Sequence, residues 1–216
     1  MDNVEFQRAR SASAKQQRES AILDAAASLG SSRGIRQVTL TDIAEAVGMH
    51  KSALLRYFET REQIFLRLTA DGWREWSAGL RAELGRLETP SPAAVAAAFA
   101  ATLSARGMFC DLLAQAPLNL ERNVSPEAVR TFKLTTLAEV DAIAATVRRL
   151  LPGLTDEASI DLIAAATSLS GAFWQMATPG PELADLYRSD PRLAHAVVDV
   201  EPRVGRLLTA MLEGMS

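Results

Sequence analysis

An all-α fold is what this chain of 216 residues predicts, on three observations. Apolar residues recur at three- and four-residue spacing in segment after segment, the period that puts them on one face of a helix. Alanine is abundant and aromatic residues make up only 6% of the chain, a composition that favours helices. No run alternates β-branched and polar residues in the two-residue period of a half-buried strand. Hydrophobic residues make up 48% of the chain, enough for a real core and too many for a disordered protein.

Residues 1–15 hold Arg8, Arg10 and Lys15 among Ser, Ala and Gln. They read either as a flexible basic arm that reaches phosphates or a minor groove, or as a tail without function. A first helix follows from about Lys15 to Ser31, with Ile22, Ala25, Ala26 and Leu29 as its apolar stripe. Gly34 stops it, and Ile35 and Val38 bring the chain back to the core.

Thr39 to Phe58 then reads as two short helices around a tight turn. Leu40, Ile43, Ala44 and Val47 give the first its buried face. Thr39 suits an N-cap, and Asp42 puts a carboxylate in the first turn, where the helix dipole favours it. Gly48 supplies the positive φ that the turn needs. Met49 plugs the corner, and a second helix from His50 or Lys51 buries Leu54 and Tyr57 or Phe58. This is the physical recipe for a helix-turn-helix whose second helix enters a DNA major groove.

Thr60 with Gln63 makes a capping box for a long helix, about Arg61 to Leu87. Phe65, Leu68, Trp76, Leu80 and Leu84 keep one of its faces apolar. Ser91-Pro92 starts a helix to about Ala105. A short one spans Met108 to Ala116, ended by Pro117. Ser125-Pro126 opens another to about Leu151, and Thr155 caps the next, to about Ala177. Residues 182–196 suggest a short helix or turn. A last helix runs from about Asp199 to Gly214, with Pro202 tolerated in its first turn. The chain thus divides into the arm (1–15), a helix-turn-helix domain suited to DNA (16–60) and a larger helical domain of residues 61–216, about nine helices in all.

Charge is distributed unevenly. The net charge is −3, which argues against a generic nucleic-acid binder. From Arg8 to Arg61, however, nine Lys or Arg face five Asp or Glu, whereas fourteen face nineteen from Glu62 onwards. The imbalance reads either as ordinary charge scatter or as placing any DNA contact in the first quarter. The longest nearly apolar run, Ala93 to Ala101, is too short to span a bilayer, and the polar N-terminus lacks the apolar stretch of a signal peptide. Cys110 is the only cysteine, which excludes an internal disulfide and fits a reducing cytoplasm. It is either a buried inert thiol or, with a lowered pKa, a redox sensor. His195 is isolated and reads as surface.

Over about Gln17 to Leu66 the pattern resembles the TetR family of bacterial transcriptional repressors. The residues that carry the resemblance are Ala25-Ala26 through Leu29, Gly34, Val38-Thr39, Asp42-Ile43-Ala44, Val47-Gly48-Met49, Lys51, Leu54, Tyr57-Phe58, Arg61-Glu62 and Ile64. The remainder matches in helix count and order. The resemblance implies an all-helical homodimer whose first three helices bind DNA. The others would form a ligand pocket and a dimer interface, and a bound small molecule would tilt the fourth helix, part the two recognition helices and release the operator. Two positions depart from the pattern. His50 stands where the family mostly has Ser or Thr, and Leu55 replaces a common Tyr.

On these grounds Lys51, Ser52, Ala53 and Arg56 are expected on the DNA-facing side, with Arg56 suited to a guanine edge and Ala53 to a thymine methyl. Thr39, His50, Tyr57 and Arg61 are expected at phosphates, although Tyr57 equally suits the core. Trp73, Trp76, Phe99, Met108, Phe109, Leu112, Phe132 and Trp174 either line a pocket for an apolar or aromatic effector or are plain core. Ala164, Ala165, Ser168, Gly171, Val204, Leu207, Leu208 and Met211 are expected at a four-helix dimer interface, or the last helix's stripe covers the chain's own core. No cofactor, metal or membrane contact is expected. An enzyme is poorly supported, since there are two histidines, no H-E-x-x-H, no glycine-rich phosphate loop and no G-x-S-x-G. The expected partners are a palindromic double-stranded operator, a small-molecule effector and a second copy of the chain. The competing reading is a small-molecule sensor or carrier that does not bind DNA.

Overall fold

The computed structural model describes the backbone of residues 2–215 and the side chains of residues 13–215. Ten α-helices are present among the described residues, with no strand. They are α1 (Asp2–Arg33), α2 (Leu40–Ala46), α3 (Lys51–Leu54), α4 (Arg61–Leu84), α5 (Pro92–Ser104), α6 (Gly107–Gln115), α7 (Pro126–Leu150), α8 (Asp156–Ala177), α9 (Pro181–Ser189) and α10 (Val200–Met215). A 3-10 turn at Ile35–Gln37 joins α1 to α2, a π turn at Ala116–Leu120 extends α6, and a second 3-10 turn at Pro191–Ala196 follows α9.

Helix α1 begins at Asp2, well before the expected start near Lys15. Neither Pro nor Gly interrupts the sequence before Gly30, so nothing in it stops the helix earlier. Arg8 and Arg10 of the expected basic arm lie outside the described side chains. The capping residues are those expected. Ser91, Ser125 and Thr155 each accept from the backbone N–H three residues on, Ala94, Ala128 and Ala158. The Thr60 box is displaced by one residue. Thr60 Oγ1 accepts from Gln63 N–H at 3.1 Å, but Gln63 Oε1 accepts from Glu59 N–H at 2.7 Å. Pro117 does not end the α6 segment abruptly. Its missing N–H is absorbed in the wider π turn.

One continuous apolar core runs from Ile22, Ile43 and Leu54 to Leu208 and Leu212. Helix α4 threads both ends of it, burying Ile64, Phe65, Leu66, Trp73, Trp76, Leu80 and Leu84. It packs against α7, while α6 packs against α8 and α10 lies along α5.

That last contact corrects an expectation. Val204 and Leu208 are fully buried within the chain, so they form its own core and not an outer interface. The reason is α5, which is almost wholly apolar and needs cover on a second face. Gly171 is likewise internal. A Cβ placed there would stand 3.1 Å from Ala114 N, so α6 and α8 approach at backbone distance. Ala164, Ser168 and Leu207 are exposed, and Ala165 and Met211 half-buried.

Candidate nucleic-acid interface

The corner between α2 and α3 is built from local chemistry. Thr39 caps α2 with both halves of a capping box. Its Oγ1 accepts from Asp42 N–H at 3.1 Å, and its own N–H donates to Asp42 Oδ2 at 2.7 Å. The Thr39 hydroxyl also donates to Asp42 Oδ2 at 2.6 Å, and Arg33 stands 3.5 Å from the other oxygen. The Thr39 hydroxyl, then its N–H and then Arg33 hold the Asp42 carboxyl below the usual aspartate range. Gly48 turns the chain at φ 65°, where any other residue would be strained. Ile43, Ala44 and Leu54 are buried beneath the corner, with Val47 and Met49 packed half-buried beside them.

His50 caps α3, in the place where a hydroxyl was the common choice. Its Nδ1 lies 2.9 Å from Ser52 Oγ and takes the Ser52 N–H at 3.5 Å, a long bond. An imidazole nitrogen can therefore do the work of the Ser or Thr oxygen, so this departure leaves the cap intact. Helix α3 is a single turn. Arg56 and Tyr57 continue it as a looser coil, with Tyr57 N–H bonded to Leu54 O at 2.9 Å.

The corner presents Lys51, Ser52, Leu55 and Arg56 to solvent, with Ala53 half-buried between them. Among the described residues neither Lys51 nor Arg56 has an ion-pair partner. Leu55 is 45% exposed, a large apolar side chain on an otherwise polar surface. Tyr57 is half-buried with its body against the core, which is the second of its two expected readings.

Two of the expected phosphate contacts are engaged elsewhere. The Thr39 hydroxyl is used on both sides by the cap. Arg61 turns inward and donates from Nε to Val38 O and from Nη2 to Ile35 O, while its Nη1 pairs with Glu62 at 3.0 Å. Its guanidinium also sits 4.8 Å from the centre of the Phe65 ring. Arg61 is a brace between α4 and the turn before α2. It meets the Val38 carbonyl and the second lone pair of Ile35 O, which already takes the Val38 N–H at 3.3 Å to close the turn.

The expected effector residues do not converge on one cavity. Trp73, Trp76, Phe99 and Phe109 pack edge-on or tilted, with ring centres 5.4–5.9 Å apart, and Trp76 Nε1 donates to Thr102 Oγ1 at 3.1 Å. Trp73 and Trp76 are core, as their alternative reading had it. Phe132 lines an open cleft of about 240 Å³ between α4 and α7, with Phe58, Leu66 and Ala70. Met108, Phe109 and Leu112 line a second, about 380 Å³, between α1, α4 and the start of α6. Trp174 and Met108 border a third, about 330 Å³, against the end of α1.

Cys110 is fully buried and its thiol donates to Leu103 O at 3.3 Å. Burial, and then the neighbouring Asp111, push its pKa up to about 12. That is the inert thiol of the two alternatives. His195 is exposed, as expected. Sequence reasoning missed Asp111, 9% exposed, and its partner Gln175. The signal was available, since Asp111 is the one charged residue in a helix whose only other polar side chain is Gln115.

No single helix among the described residues is long and apolar enough to cross a membrane. Comparison with known proteins identifies the family. Residues 22–68 match the family described as bacterial regulatory proteins, tetR family, and residues 70–216 match the tetracyclin repressor-like C-terminal domain. No curated protein matches the chain. Among solved structures, it is similar to the fatty acid degradation regulator FadR of Bacillus halodurans at 13% identity, covering 91% of this chain and 95% of that one, with a TM-score of 0.57. The TetR-family regulator PfmR of Thermus thermophilus is 18% identical, with coverage of 90% and 98% and a TM-score of 0.56. Thermus thermophilus FadR, a repressor solved with lauroyl-CoA, is 20% identical, with coverage of 84% and 95% and a TM-score of 0.54. At such identities the solved structures share the fold, and the two family matches, which together take in nearly all of residues 22–216, carry the assignment: the chain belongs to the TetR family of transcriptional regulators, with the DNA-binding domain at its N-terminus.

Proposed function

We propose that the protein is a repressor that grips a palindromic operator as a homodimer and lets go when a small apolar or aromatic effector binds. The observation that carries the reading is the corner at Gly48, where both helices are capped and the cations of Lys51 and Arg56 face solvent. Arg56 reads a guanine through O6 and N7, and Ala53 and Leu55 touch thymine methyls. His50, Lys51 and Tyr57 sit at phosphates. On this reading the domain boundary falls at the start of α4, and the protein works in the cytoplasm.

Dimerisation uses the faces of α8 and α10 that the chain leaves uncovered. Ile160, Ala164, Ser168, Ala172 and Met176 form an exposed line at four-residue spacing along α8. Leu207, Ala210 and Met211 flank it on α10, which packs against α8. The effector enters the cleft between α4 and α7. Phe58, Leu66, Ala70 and Phe132 give it an apolar floor, and Phe58 ends the DNA-reading segment. The lauroyl-CoA bound by the Thermus thermophilus repressor is consistent with an apolar effector class.

Selection from a randomised duplex pool with the purified protein tests the reading. The expected product is a palindrome with half-sites about one helical turn apart, ~34 Å, or somewhat more. Failure to enrich any sequence supports the carrier reading instead.

A further inference from the structure

The 3-10 turn that leads into α2 is held from outside its own domain. Gly34, at φ 81°, begins the turn, which has no side-chain cap of its own. Instead, Ile35 N–H donates to Asp111 Oδ2 of α6 at 2.9 Å, across 76 residues of sequence. The other Asp111 oxygen accepts from Gln175 Nε2 of α8 at 2.8 Å. From the opposite side, Arg61 of α4 donates to Ile35 O and Val38 O. Both polar ends of one residue, Ile35, are therefore held by two different helices outside the corner, α6 and α4. Val38 leads directly into Thr39, the cap of α2.

We propose that this turn is where the helix-turn-helix senses the position of α6 relative to α4, and that Asp111 is the positioning residue that links it through Gln175 to α8. The inference rests on the DNA-reading function above. A buried carboxylate that loses its donors is costly, so a moving α6 either carries the turn with it or breaks a charge-assisted bond. Helices α6 and α8 leave little room to slide past each other. A Cβ on Gly107 would stand 2.2 Å from the Trp174 ring, and one on Gly171 would stand 3.1 Å from Ala114 N. Displacement of α8 therefore reaches α6, then Asp111, then Ile35 and the start of α2. Linkage makes the path reciprocal, so DNA held by α3 must be felt at α8.

Hydrogen exchange on the full chain, free and bound to the selected duplex, tests this. In the free protein, Asp111→Leu is expected to speed exchange of the amides of residues 35–46 roughly tenfold or more, with α5 and α10 unchanged. Asp111→Asn restores most of the protection, because its amide oxygen still accepts from Ile35. With duplex bound, the wild type slows exchange in α6 and α8 as well. Gln175→Leu keeps the turn protected and still binds duplex, but loses the slowing in α8. Wild-type exchange at residues 35–46 in Asp111→Leu overturns the proposal, as does equal slowing of α8 in Gln175→Leu. If Asp111→Leu does not fold, Asp111→Ser, too short to reach Ile35, takes its place with the same expected and overturning results, and Gln175→Leu keeps the second readout. A wild type that selects no duplex refutes the DNA-reading function, and the free-protein comparison still decides whether Asp111 holds the turn.

Discussion

Residues 39–58 and the helices α4–α10 place their side chains by different rules. In the first, almost every role is set by a neighbour within four residues: Thr39 and Asp42 cap each other, His50 caps through Ser52, and Gly48 turns the chain alone. In the second, roles are set by partners far away in sequence. Val204 and Leu208 are buried because α5 needs cover, and Trp76 is buried because Phe99 and Phe109 close over it. The small corner keeps its chemistry on the surface; the large domain keeps its chemistry between helices.

That contrast can be broken experimentally. The largest expected effect is in the aromatic cluster. Trp76→Ala is expected to lower stability by about 3–5 kcal/mol, measured by urea denaturation. A loss below about 1 kcal/mol would mean the cluster is a collapsible pocket after all. Replacing Ala164 and Leu207 together by Asp comes next. Burying two carboxylates at the proposed interface should turn the dimer into a monomer in sedimentation, at unchanged helicity. An unaltered dimer would move the interface elsewhere.

Arg56→Ala tests the surface chemistry of the corner. Operator titration should show a loss of about 1–3 kcal/mol confined to one base position, with stability within about 0.5 kcal/mol of wild type. Thr39→Ala separates cap from contact. It should cost about 1 kcal/mol of stability, and any loss of DNA affinity should follow from that. The paired Asp42 adds a pH signature. Its folded pKa lies below the ordinary value, so its contribution is present above the unfolded pKa and fades as pH falls through the folded one. Acid unfolding monitored for Asp42→Asn should lose that part of the pH dependence.

The smallest effect concerns Cys110. With its pKa raised to about 12, it should resist iodoacetamide at neutral pH until the chain unfolds. The sign for stability follows from the same shift. The contribution is complete below the unfolded thiol's pKa and is lost as pH rises towards the folded value.

The same contrast explains what was legible in the sequence. Helices announced by caps were found with their caps, because Thr39, Ser91, Ser125 and Thr155 act on residues three positions away. The corner was legible for the same reason. The Thr60 box was read one residue out, because Gln63 can reach either neighbouring amide. Which face of α10 meets the core, and whether Trp73 lines a void, depend on the helices that arrive opposite, and periodicity says nothing of those. Arg61 reads as a surface cation until the carbonyls of Ile35 and Val38 are placed beside it. Asp111 could have been noticed as a lone charge on an apolar face, but its partners could not have been named.

Whether the Gly48 corner grips DNA is decided by titrating the selected palindromic duplex at increasing salt. Log affinity should fall steeply and linearly with log salt, with a slope of about −0.9 for each phosphate neutralised, made shallower by about one unit per half-site when Lys51 is replaced by Ala. Affinity that does not change with salt, or a slope that Lys51→Ala leaves untouched, would contradict it.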